Sequence, residues 1–221
     1  MLGFVIPFQL EGKGLINSLA NITKQNIQGR SLVTGELNSN KVAVIFSGCG
    51  KILSASATQL LIDKFNPTRL IHLGTAGAIA PNLKIGDIAL GKKVIEHDYT
   101  TLFQANSTPP SFDLTTQWQE EFLKYCATIN QPVNCGTMIS GDEDIVSTQR
   151  RSELFETFQA LSVDWETAAV AKVAALNSIP LLALRTISDA AHESTYYEYK
   201  IYAAKVSLNL CELVIGFLKC S

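Results

Sequence analysis

Apolar positions along the chain form short continuous runs separated by longer amphipathic stretches, and small or polar residues close nearly every run. Leu2 to Phe8 reads as a buried strand, followed by a helix around Leu15 to Ile22 and a strand over Arg30 to Leu37. Val42 to Phe46 is a further apolar run, closed by Ser47-Gly-Cys-Gly50 and followed by a helical stretch from Ile52 to Phe65 that stops at Asn66-Pro67. Strand patterns recur at Arg69 to Leu73, which ends in Gly74-Thr-Ala-Gly77, at Ile85 to Leu90, at Cys135 to Ile139 and at Pro180 to Arg185. Between them lie a Ser- and Pro-rich loop at 106 to 111, a helix near Trp118 to Ile129 and an amphipathic segment at Arg151 to Phe158. The stretch VDWETAAVAKVA begins at Val163, and a long C-terminal helix runs from about Tyr196 to Leu218. Strands that read as unbroken apolar runs and alternate with helices imply a mostly parallel or mixed sheet covered on both faces. In such sheets the ligand sits beyond the carboxyl ends of the strands, where the polar residues of this chain collect.

The chain has 221 residues, a length one core can serve, so a single domain over residues 1–221 is expected. Hydrophobic residues make up 47% and charged residues 17%, the composition of a well-buried globular fold. Formal net charge is −2 and the basic residues are scattered, which argues against a nucleic-acid partner. Cysteines at 49, 126, 135, 211 and 220 form no CxxC and are odd in number, so neither a disulfide framework nor a zinc site is expected, and a reducing cytoplasm is. The first residues lack a basic n-region, and no apolar stretch reaches the roughly 18 residues that cross a membrane.

The chemistry must come from a few polar residues at strand ends. Gly74-Thr-Ala-Gly77 lets the backbone approach something closely and presents the hydroxyl of Thr75. Ser47-Gly-Cys-Gly50 could hold an anion on its amides or merely turn the chain; it fails as a dinucleotide fingerprint because position 53 is Leu. Asp189 and Glu166 each have two readings, as helix-terminal residues that cap or complement the dipole and as ligand-binding acids. Glu11 follows the first strand and reads as a solvated charge or as a functional one. His72 lies inside an apolar strand and reads as a satisfied core residue, whereas His97-Asp98 is more open to a functional role. The three histidines show no metal-ligand spacing, and no metal or cofactor is expected.

Taken in order, SGCGKILSASATQLLIDKFNPTRLIHLGTAGAIAPNLKIGDI at 47 to 88, SGDEDI at 140 to 145, VDWETAAVA at 163 to 171 and RTISDAA at 185 to 191 resemble the purine nucleoside phosphorylase superfamily. Within it they are most similar to the methylthioadenosine/S-adenosylhomocysteine nucleosidases. The resemblance implies a three-layer α/β/α fold with a central mixed, partly barrel-like sheet, a purine nucleoside as the small-molecule partner, and a homodimer. It implies that Glu11 activates the attacking water and that Asp189, after Ser188, protonates the leaving purine. It further implies that Glu166 binds ribose hydroxyls and that Thr75, Ala76 and Gly77 flank the ribose and the nucleophile. Cleaving an N-ribosidic bond passes through an oxocarbenium-like state, so an acid for the base and an activated water on the other face are the groups required.

Two positions depart from the nucleosidase pattern. Trp165 stands where methionine usually precedes the ribose-binding glutamate, and Asp144, followed by Ile145, stands where an aromatic usually stacks on adenine. Losing that ring forfeits roughly 1 kcal/mol, and Trp165 is the replacement aromatic surface on offer. Phosphate would call for arginines, yet none precedes Arg30 and none lies between 70 and 149, which leaves Lys13 or Lys51 as substitutes. The expected function is therefore hydrolysis of a purine nucleoside. A futalosine-type or other modified-nucleoside hydrolase, a phosphorylase and a nucleoside-binding pseudoenzyme are the alternatives.

Overall fold

The computed structural model describes residues 1–100 and 108–220. In chain order the elements are β1 (Leu2–Ile6), α1 (Gln9–Asn17), β2 (Ala20–Ile27), β3 (Arg30–Leu37), β4 (Asn40–Phe46), α2 (Lys51–Phe65), β5 (Arg69–Ala78) and β6 (Ile88–Glu96). They continue with β7 (Ser111–Asp113), α3 (Gln117–Thr128), β8 (Asn134–Ser140), α4 (Thr148–Phe158), β9 (Ser162–Asp164), α5 (Thr167–Leu176), β10 (Leu181–Asp189) and α6 (Thr195–Cys220).

Period-two alternation splits the core into two layers. Phe4 and Ile6 of β1, with Val42 and Val44 of β4, pack against Leu15 of α1, Phe122 of α3 and Leu210, Val214 and Phe217 of α6. The intervening Val5, Ala43 and Ile45 pack against Ala57 and Leu61 of α2 and Val170 and Ala174 of α5. The result is the three-layer α/β/α arrangement.

The sheet is mixed. β1 is flanked by β4 and β5, both parallel to it, and β5 is parallel to β10. β10 then pairs antiparallel with β6, β6 parallel with β8, β8 parallel with β9, and β9 returns antiparallel to β5. Five strands thus close into a barrel-like ring, while β1, β4, β3 and β2 extend from it as an open wing.

Several boundaries differ from the sequence reading. The first helix runs over Gln9–Asn17 rather than around Leu15 to Ile22. Gly12 and Gly14 disguise it, because glycine lowers helix propensity, and tertiary packing supplies the reason for one of them. A Cβ on residue 14 would stand 2.8 Å from Cys211 Cβ of α6, so the two helices approach too closely for a side chain. β2 (ANITKQNI) carries no apolar alternation because it is an exposed edge strand. β6 begins after the turn at Gly86, whose φ of +93° ends any strand at Ile85. Of the loop expected at 106 to 111, residues 106–107 lie outside the described residues, and Ser111 already pairs with Ile95 in β7. α6 is long and apolar enough to cross a membrane by length and composition, but it carries Lys205 and Glu212, and Val206, Leu210 and Val214 are buried against the sheet.

Candidate active site

Glu11, Thr75, Ala76, Gly77, Asp144, Ile145, Trp165, Glu166, Ser188 and Asp189 all line one cavity of about 320 Å³ at the carboxyl ends of β1, β5, β8, β9 and β10. Pro7, Phe8, Cys49, Thr195, Tyr196 and Tyr199 also contribute to its wall. Sequence reasoning gave no role to Phe8, which closes the first strand pattern, or to Cys49, which lies inside the Ser47 to Gly50 turn. Tyr196 and Tyr199 sit in the first turns of α6.

Glu11 sits in the first turn of α1, buried, rather than in a solvated loop. Its Oε1 accepts hydrogen bonds from the amide and the hydroxyl of Thr75, both at 2.7 Å, and Oε2 accepts from the Phe8 amide at 3.1 Å. Burial pushes its carboxyl up from the usual range, opposed by the Arg185 charge and by the donors on Thr75 and Phe8.

Glu166 opens α5. The Gly50 amide donates to its Oε1 at 3.1 Å, and Arg185 Nη2 lies 3.3 Å from Oε2. The Ser47-Gly-Cys-Gly50 turn therefore does hold an anion, and that anion is a carboxylate of the chain itself. Burial outweighs Arg185 and lifts Glu166 to about 7. Burial and the Glu166 charge push the nearby Cys49 thiol up to about 12, which keeps it protonated.

Arg185 is the residue whose role the sequence concealed. It is wholly buried in the middle of β10 and does not line the cavity. Nε donates to Asp164 Oδ2 at 2.9 Å and to Thr167 Oγ1 at 3.1 Å, and Nη2 donates to Nε2 of His72. His72 is the satisfied core histidine expected, with Nδ1 2.8 Å from the Val5 carbonyl; burial and Arg185 drive it down to about 3, so it is neutral and able to accept. The available signal was a charge closing the otherwise apolar run Leu181 to Leu184.

Asp164 is buried at the end of β9. Its Oδ1 accepts from the amides of Glu166 at 2.9 Å and Thr167 at 2.8 Å and from Ser140 Oγ at 2.7 Å, fixing the start of α5. Burial alone would raise its pKa; Arg185 overrides that and holds it at about 2. Asp164 thus supports the two residues that follow it, Trp165 and Glu166.

Asp189 ends β10. Its Oδ1 accepts from the Ala191 amide at 3.0 Å, and Ser188 Oγ lies 2.7 Å from Oδ2. Burial raises its pKa against these donors. The cap and acid readings coexist here, since one carboxylate oxygen is held by the following turn while the residue still borders the cavity. Trp165 Nε1 donates to the Glu143 carbonyl at 3.0 Å, tying the β9–α5 turn to the loop that carries Asp144 and Ile145.

The alternative cations and the open histidine are not at the site. Lys51 Nζ is held by Glu96 at 2.8 Å and Asp98 at 2.6 Å, Lys13 is exposed, and neither lines the cavity. His97 is buried under Gly141, where a Cβ would stand 2.5 Å from its Nε2, and it also stays out of the lining. Among the described residues no group of three His, Cys, Asp or Glu side chains is arranged to hold a metal ion.

A 5'-methylthioadenosine/S-adenosylhomocysteine nucleosidase of Shewanella piezotolerans is 30% identical over 99% of this chain and 98% of its own length. One from Maridesulfovibrio salexigens is 31% identical over 99% and 98%. Among solved structures, the Neisseria meningitidis nucleosidase in complex with methylthio-immucillin-A superposes with a TM-score of 0.93 at 24% identity, covering 100% of this chain and 99% of that one. The native futalosine hydrolase of Helicobacter pylori gives a TM-score of 0.93 at 20% identity, covering 100% and 97%. The model of the phosphorylase superfamily matches residues 2–219, and the chain belongs to that superfamily.

Proposed function

We propose that the protein hydrolyses the N-ribosidic bond of a purine nucleoside of the methylthioadenosine and S-adenosylhomocysteine type, releasing the free base and a ribosyl product. The observation that carries this reading is the convergence of Glu11, Glu166 and Asp189 on one cavity whose described lining contains no lysine or arginine. A nucleophilic phosphate would need cations there, whereas water needs only a base.

Asp189, its pKa raised by burial, holds a proton for purine N7. The hydroxyl of Ser188 lies between Asp189 Oδ2 at 2.7 Å and the Ala76 carbonyl at 3.4 Å, so its single hydrogen can turn to Ala76 while its oxygen accepts from protonated Asp189. Glu11, anchored by Thr75, takes a proton from the attacking water; each acid-base role of this kind is worth about 10²- to 10⁴-fold. Glu166 accepts from the ribose hydroxyls and favours the positive charge that develops on the sugar. Trp165 supplies a flat wall.

The exposed apolar rim residues Phe8, Val146 and Tyr196 support a homodimer in which a second copy covers the mouth of the cavity, and light scattering tests it. The odd cysteine count without CxxC supports a cytoplasmic location.

The decisive experiment follows base release from methylthioadenosine, adenosylhomocysteine and inosine, with and without phosphate. Phosphate-independent release is expected, with Asp189→Asn slower by at least about tenfold at unchanged melting temperature. Release that requires phosphate would overturn the hydrolase reading in favour of a phosphorylase, and no release from these three or from aminodeoxyfutalosine would favour a nucleoside-binding protein.

A further inference from the structure

The cavity is one-sided in charge. Its described lining includes six carboxyl groups, on Glu11, Glu143, Asp144, Asp164, Glu166 and Asp189, and no lysine, arginine or histidine. The cations near it are committed elsewhere. Arg185 is spent on Asp164 and Glu166, Arg150 holds Glu143 through Nε at 2.8 Å, and Lys51 faces Glu96 and Asp98. Asp144 alone is exposed on the rim and has no ion pair or hydrogen bond among the described residues.

Its position is fixed by two ties. Thr195 Oγ1 lies 3.3 Å from the Ile145 carbonyl and 3.2 Å from Asp189 Oδ1, which holds the 144–145 segment beside the proposed base acid. Trp165 Nε1 binds the Glu143 carbonyl at 3.0 Å, which holds the same segment beside the Glu166 turn. Asp144 therefore overlooks both the base side and the ribose side of the cavity, and its charge contributes to keeping the Cys49 thiol protonated, after burial and Glu166. A space of about 320 Å³ is roughly 10 Å across, about one Debye length at 0.1 M salt, so a charge held inside the cavity lies within the field of the rim.

We propose that Asp144 makes this cavity a charge filter, which accepts purine nucleosides with neutral or cationic arms and rejects those whose arm carries a net negative charge, such as a carboxylate or phosphate. This rests on the nucleoside reading above and narrows it. An unpaired carboxylate at the mouth adds little attraction for a neutral nucleoside but penalises an anion that cannot shed its charge, which is selection by repulsion. It also works in the same direction as the missing phosphate site, since both follow from a wall with acceptors and no cations.

Binding tests the filter independently of turnover. The probes are 9-deazaadenosines, whose base is joined through carbon and cannot be hydrolysed, bearing 5′-methylthio, 5′-(2-aminoethyl)thio or 5′-(2-carboxyethyl)thio arms. Affinities are measured by calorimetry on the whole protein at low salt and at about 1 M salt. The carboxylate probe is expected to bind at least about tenfold more weakly than the methyl probe at low salt, and the ammonium probe at least as well as the methyl one. High salt and Asp144→Asn should each narrow the gap severalfold, and Asp144→Lys should close or reverse it. Equal affinities of the carboxylate and methyl probes in the native protein, or a gap unchanged in Asp144→Asn, would overturn the filter and leave the nucleoside reading standing. Failure of all three probes to bind would overturn both.

Discussion

A Cβ on residue 74 would stand 1.9 Å from Nη1 of Arg185, so the backbone of β5 and the guanidinium carried by β10 leave no room for a side chain between them. The two residues are register partners across the parallel β5–β10 pairing. Gly74 is thus the opening through which Arg185 reaches Asp164, His72 and Glu166 at once. Gly74→Ala is expected to displace the guanidinium and strand buried carboxylates, at a cost of about 3–5 kcal/mol. Chemical denaturation measures that loss. An alanine variant with native stability and native base release would show that the guanidinium has room to move.

Burial gives Glu166 a pKa of about 7, above the 4.5 of an unfolded glutamate, so the native state binds more protons between those values. Its contribution is fully present below pH 4.5 and is lost as pH rises through about 7. The shift corresponds to about 3 kcal/mol. Asp164 behaves in the opposite sense. Held at about 2, it contributes stability above the unfolded value of 3.8 that is lost as pH falls through 2. Glu166→Gln should therefore flatten the decline in melting temperature between about pH 5 and 8 without altering the acid transition. An undiminished slope in that variant would assign the titration to another group.

Much of this was legible from short-range pattern. Local pattern located β3, β4, β8 and α2 to within a residue or two, because β4 is buried on both faces, turn residues punctuate β3 and β8, and α2 is bounded by Gly50 and Asn66-Pro67. Glu11, Glu166 and Asp189 could be named because each interrupts or follows an apolar run and falls in the order of motifs that carries the family resemblance. What remained hidden depended on contacts across the chain. β2 has no buried face to impose alternation, and α1 carries Gly14 because α6 packs closely upon it. Arg185 read as the end of a strand, since its partners on β5, β9 and α5 lie outside the local pattern. The Ser47 to Gly50 turn looked indifferent until Glu166, 116 residues downstream of Gly50, proved to be the anion it holds.

Trp165 is fixed at both ends, by its place between Asp164 and Glu166 and by the 3.0 Å bond from Nε1 to the Glu143 carbonyl. Trp165→Met removes that bond and the flat surface together, freeing the segment that carries Asp144 and Ile145. The expected result is a rise of KM by severalfold for all substrates, with methylthioadenosine favoured over adenosylhomocysteine relative to the native ranking. Competitive assays with both nucleosides in one mixture report the ratio directly. An unchanged ranking would reduce the tryptophan to packing.

Thr75 holds Glu11 with two donors, its amide and its hydroxyl, each 2.7 Å from Oε1. Both favour the ionised carboxylate and oppose the burial that pushes Glu11 up. Thr75→Ala deletes the hydroxyl alone. Glu11 must be ionised to accept a proton from water, so activity rises with pH through its pKa, and a higher pKa moves that acid limb to higher pH. A hydrogen bond to a charged group is worth about 1.5–3 kcal/mol, which sets the scale of the shift at about one to two pH units. Turnover below the new limb should fall by about tenfold or more, while the plateau at higher pH is largely preserved. Thr75→Ser, which keeps the donor, is expected to restore the native profile. If serine and alanine behave alike, the hydroxyl plays no part in setting the base, and the amide of residue 75 holds Glu11 by itself.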